Sequence, residues 1–100
     1  MNTSKPPNTI QVNIKADDEI QKGRYCNAAQ ISHSGEEFTM DFFFIHSNPP
    51  FGNLLSRIVL SPGHAKRLML ALQENIQRYE AIHGPIRMTP KPSEEIGFIQ

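Results

Sequence analysis

Apolar and polar residues alternate in four stretches of the first sixty positions. In one later stretch apolar residues recur at steps of three and four. Residues 9–16, TIQVNIKA, set Ile10, Val12 and Ile14 against Gln11, Asn13 and Lys15. This is the pattern of a half-buried strand with one wet face, suited to a sheet edge. Residues 17–23 are polar and read as a turn. Residues 24–33, RYCNAAQISH, put Tyr25, Asn27, Ala29 and Ile31 on one side and Cys26, Ala28, Gln30 and Ser32 on the other. Small residues there imply close packing. Ser34-Gly35 then makes a short turn, so this strand and the next form a hairpin.

The next strand, EEFTMDFFFIHS at residues 36–47, is apolar near its end on both faces. Phe38, Met40, Phe42 and Phe44 share one side; Thr39, Asp41, Phe43 and Ile45 share the other. The proline- and glycine-marked stretch SNPPFGN predicts a loop. LLSRIVL at residues 54–60 gives a fourth strand, again largely apolar on both faces.

The helix that follows has signals at both ends. Ser61-Pro62 supplies an N-cap and a proline in the first turn. Gly84-Pro85 supplies a terminating glycine and a stop. Between them Ala65, Leu68, Met69, Leu72, Ile76, Tyr79 and Ile82 form one stripe opposite Lys66, Gln73, Glu74, Gln77 and Glu80. A helix of about 22 residues runs roughly 33 Å, and strands of seven to nine residues run roughly 25–30 Å. One helix can therefore cover one face of the sheet.

The expected fold class is α+β: a mainly antiparallel sheet of about four strands, with one long C-terminal helix on one face. Phe38, Met40, Phe42 and Phe44 are expected to pack under Leu68, Leu72, Ile76 and Tyr79. A single domain is expected over residues 9–86, between a flexible arm at 1–8 and a flexible tail at 87–100. The terminal IGFIQ reads as a frayed end, with docking on a neighbour or a sheet edge as the other reading.

The second sheet face also needs cover. Phe43, Ile45, Leu55 and Val59 are expected to meet a partner chain, with Asp41 and Arg57 among them by alternation and pairing across adjacent or symmetry-related strands. Composition points the same way. The apolar fraction is 38% and the mean hydropathy −0.43, low for a compact globule. A core this small makes a 100-residue chain marginal alone and favours association.

A formal net charge of 0 gives no overall attraction to nucleic acid or anionic lipid. A single cysteine, Cys26, excludes an internal disulfide framework. No apolar run reaches membrane-span or signal-peptide length, so a cytoplasmic location without a membrane partner is expected.

With these elements placed, the strings RYCNAAQISHSGEEFTMDFFF and SRIVLSPGHAKRLMLALQENIQRYEAIHGPI resemble the small bacterial and archaeal family labelled domain of unknown function 3467. The similarity covers residues 23–86 and is densest at Ser56, Arg57, Ile58, Val59, Leu60, Ser61, Pro62, His64, Ala65, Lys66, Arg67 and Leu68. It implies a complete small protein and brings no established activity, cofactor or catalytic residue. Separately, antiparallel strands followed by a long helix resemble the layout of the SecB export chaperone. That likeness implies association through sheets and apolar grooves for unfolded chains.

Candidate chemistry is sparse. Ser61, His64, Lys66 and Arg67 cluster at the helix start, where free N–H groups and the dipole favour an anion. A bound phosphate, nucleic-acid backbone or partner carboxylate is one reading. The plainer one, and the preferred one, is a solvated basic cluster or ion pairs to Asp41, Glu36 or Glu37. The histidines His33, His46, His64 and His83 lack ligand spacing with each other or with Cys26, so no metal or other cofactor is expected. Cys26 with His33 or His46 is the sole nucleophile–base offer, and a packed cysteine is the preferred reading. Phe42, Phe43 and Phe44 are flanked by acids rather than by the Lys and Arg of base-stacking surfaces.

The reading is thus a non-enzymatic homo-oligomer that binds another protein, with a nucleic-acid-associated regulator using the basic cluster as the alternative.

Overall fold

A computed structural model describes residues 9–88. The arm at 1–8 and IGFIQ lie outside the described residues, as does nearly all of the 87–100 tail. The described chain runs α1 (Asp18–Lys22), β1 (Ala28–His33), β2 (Phe38–Ser47), β3 (Pro50–Leu60) and α2 (Pro62–His83). The strands form one sheet in the order β1-β2-β3, a meander of two hairpins. The fold is α+β with three strands, where alternation predicts four.

The missing strand is TIQVNIKA, which is irregular. Alternation shows which side of a segment wants burial. It does not supply the neighbour whose backbone a strand must bond. Residues 17–23 differ too: the polar turn contains the short helix α1. Asp18 and Glu19 occupy its first turn, Lys22 reaches Glu19 at 2.9 Å, and Gly23 ends it at φ 75°. A glycine accepts that left-handed backbone without a Cβ clash.

The β1–β2 turn is fixed by Ser34. Its N–H donates to the Glu37 carbonyl at 2.9 Å, and its hydroxyl accepts from the Glu36 and Glu37 N–H groups at 3.3 Å each. The β2–β3 turn is tighter than expected. SNPPFGN contributes Ser47 to β2 and Pro50, Phe51, Gly52 and Asn53 to β3, leaving Asn48-Pro49, joined by a cis peptide bond, as the turn. Gly52 suits its place there. A Cβ on it would stand 3.3 Å from Ile45 Cγ1.

Helix α2 has the expected limits. The Ser61 hydroxyl accepts from the His64 N–H at 3.2 Å, and Gly84 (φ 87°) closes the end with its N–H on the Glu80 carbonyl. Arg78 pairs with Glu74 one turn back.

The chain divides into two compact units, Met1–Ile31 with Met40–Ile58, and Ser32–Thr39 with Val59–Gln100. In the first, Phe43 is buried at 7% exposure, as is Asp41 at 6%. Phe42 and Phe44, expected in the core with Phe38 and Met40, are only half-buried, as those two are. In the second, Leu68, Met69, Leu72, Ile76, Tyr79 and Ile82 are all exposed, Leu72 at 58%. The helix period locates the apolar stripe correctly, but the expected burial of that stripe is not found. A periodic pattern marks a face for burial without stating which surface covers it.

Candidate functional site

Strand alternation places Asp41 on one side of β2 with Phe43 and Ile45, and Arg57 reaches it from β3. The guanidinium grips the carboxylate with two bonds, Nε to Oδ1 at 2.7 Å and Nη2 to Oδ2 at 3.0 Å. This fork-to-fork geometry fixes both direction and distance. The two ends differ in exposure: the Asp41 side chain is largely covered, while that of Arg57 is about half open. The hydrogen bond from Arg57 holds the Asp41 carboxyl below its ordinary value. Burial opposes this, and the Arg57 charge adds to it. Arg57 is raised in turn, first by the same hydrogen bond and then by the Asp41 charge.

Around this pair, Phe43 is buried within the chain itself and Ile45 and Leu55 are half-buried. Val59 is exposed and belongs to the second unit. The first unit therefore brings together Asp41, Phe43, Ile45, Leu55 and Arg57. Ser61, His64, Lys66 and Arg67 all fall in the second.

The helix start offers an anion less than its sequence suggests. Pro62 has no N–H, and the His64 N–H is taken by the Ser61 hydroxyl. Lys66 and Arg67 form no ion pair among the described residues. A Cβ on Gly63 would stand 3.6 Å from Arg67 Nη1, so that side chain folds back along the first turn.

Three features escape the sequence reading. The first is Asn27. Its N–H donates to the Phe43 carbonyl at 3.1 Å. Its side-chain amide accepts from the Ile45 N–H at 2.8 Å and donates to the Ile45 carbonyl at 3.0 Å. An amide has one acceptor and one donor group side by side, so it can imitate the edge of a strand.

The second is a row of rings. Tyr25 meets Phe44 edge-on at 6.3 Å, Phe44 meets His46 at 4.9 Å, and His46 stacks on Phe51 at 4.2 Å and 15°. The i,i+2 spacing of Phe44 and His46 is its visible signal. Tyr25 and Phe51 at the ends are exposed.

The third is a groove of about 790 Å³. It lies among Glu19, Ile20 and Lys22 of α1, Gly23, Arg24, Cys26, Phe42 of β2, and Leu55, Ser56 and Ile58 of β3. Arg24 Nη1 donates to the Leu55 carbonyl at its wall. Cys26, read as a packed cysteine, is exposed instead. His33 stacks on Phe38, and His83 meets Tyr79 at a tilt of 41°. Among the described residues no cluster of three His, Cys, Asp or Glu side chains could hold a metal ion. Among the described residues no helix is long and apolar enough to cross a membrane.

Fold and site together define a small α+β protein with an ion-paired sheet and an exposed amphipathic helix. Residues 1–88 match the family described as Protein of unknown function (DUF3467), and the chain belongs to it. No curated protein and no solved structure matches it.

Proposed function

We propose that this protein is a non-enzymatic, self-associating module that binds other proteins through apolar surface. The exposed stripe of α2 carries the reading. A 22-residue helix with Leu68, Leu72, Ile76 and Tyr79 open to water leaves large side chains whose burial is worth about 1.5–3 kcal/mol each. Covering such a stripe favours association. Ile45 and Leu55, in the same unit as the Asp41–Arg57 pair, are the sheet contribution. The pair makes that contact directional, since a partner has to present polar groups to the half-open guanidinium.

In a SecB-like form of this reading, apolar surface left after self-association takes extended clients. The site and the association are expected to operate in the cytoplasm. Light scattering on the purified chain at micromolar concentration tests the base of the reading. A dimer or larger assembly is expected, and a monomer would remove it.

A further inference from the structure

The cleanest alternation in the sequence lies in a segment that the fold leaves unpaired. From Ile10 to Lys15 no backbone N–H or C=O has a hydrogen-bond partner among the described residues; the nearest bond is Gln21 Nε2 to the Ala16 carbonyl. Its apolar side is open as well, with Ile10 83%, Val12 69% and Ile14 81% exposed. A segment with strand-forming residues, a regular apolar side and a free row of donors and acceptors has what a sheet edge recognises.

The fold also presents such an edge. Among the described residues β3 is bonded to β2 on one side and to no strand on the other. Length selects it over β1. Eight residues extend to about 26 Å; the six of β1 offer about 20 Å and the eleven of β3 about 36 Å. Leu54 and Ile58, which share one face of β3, are exposed and would gain apolar neighbours. Gln11, Asn13 and Lys15 would remain on the wet side. In the folded chain the segment lies on no edge of its own sheet, so the edge left for it belongs to another copy.

We propose that residues 9–16 of one copy add as a fourth strand to β3 of a second copy, which returns the contact about a two-fold axis. The proposal rests on the self-association read above and names its partner and its strand.

Amide hydrogen exchange on the full chain, with light scattering on the same samples, tests it. Alternate amides of residues 10–15, those facing β3, should exchange at least about tenfold more slowly than in an unpaired peptide, and tenfold dilution should reduce that protection, because only the assembled state supplies the bonds. Val12→Pro, which deletes a ladder donor and lies outside every helix and strand, should abolish the protection. The double change Ile10→Asp, Ile14→Asp should do so without altering the backbone. α2 amides serve as the folding control. Fast exchange at all concentrations overturns the proposal, and so does protection that persists in a monomer, which would mean pairing within one chain. If both variants remain fully assembled and only Leu72→Lys, Ile76→Lys dissociates them, strand exchange fails while self-association stands.

Discussion

The side-chain amide of Asn27 closes both backbone groups of Ile45, accepting from its N–H and donating to its C=O. With the Asn27 N–H on the Phe43 carbonyl, this extends the β1–β2 ladder by one step beyond Ala28, where β1 begins. Each bond is solvent-accessible, so a net worth near the low end of 0.5–1.5 kcal/mol applies. Asn27→Ala should lower stability by about 1 kcal/mol, read as a lower urea midpoint. Asn27→Asp should cost more, because a carboxylate oxygen then faces the Ile45 carbonyl. Equal stability of the Asp variant and the parent would show that the donor half of the pair contributes nothing.

The Asp41–Arg57 pair gives the acid limb a defined sign. The folded-state value of Asp41 is depressed. Its stabilisation is therefore fully present above the unfolded value of about 3.9 and is lost as pH falls through the lower folded value. Urea midpoints between pH 6 and pH 2 should fall more steeply for the parent than for Asp41→Asn. Parallel curves would remove the pair from the acid response.

The unequal cover of the two partners predicts an unequal response to their removal. Arg57→Met leaves a carboxylate at a 6% exposed residue, whereas Asp41→Asn leaves a half-open guanidinium that water can solvate. The arginine variant should be the less stable one, as judged by thermal midpoints near neutral pH. The reverse order would mean that Asp41 is solvated.

Lys66 and Arg67 discriminate between the protein-binding reading and a nucleic-acid one. Lys66→Gln with Arg67→Gln should leave oligomer mass and stability nearly unchanged. Any residual binding of a mixed-sequence duplex should be weak in the parent at 150 mM salt. Tight binding that falls steeply from 50 to 200 mM salt and disappears in the double variant would reverse the assignment.

Removing the N-cap should be felt locally. Ser61→Ala deletes the acceptor for the His64 N–H and should cost about 1 kcal/mol, visible as faster amide exchange in the first turn of α2.

The limits of helix α2 are legible because their signals are local: a serine cap, an adjacent proline, a period, a glycine. β2 was legible because alternation and aromatic content agree. The Asp41–Arg57 pair followed from alternation alone, since both residues fall on the same side of neighbouring strands. What stayed hidden depends on groups far apart in sequence. The bonding of Ile45 requires an asparagine eighteen positions away. The segment at residues 9–16 carries every compositional mark of a strand except a neighbour, and composition does not encode a neighbour. The sequence SNPPFGN predicts a longer loop than the Asn48-Pro49 turn because Pro and Gly suggest interruption, although a proline at the start of an edge strand removes no ladder bond.

Gly52, Ile45 and Asn27 stand on β3, on β2 and just before β1. A methyl group on Gly52 would press on Ile45 Cγ1, and the backbone of Ile45 is what Asn27 holds. The three residues form a transverse line through the sheet, at right angles to the direction in which strands are usually compared. Position 52 on the outer strand thus bears on the side chain of the one residue whose backbone Asn27 closes.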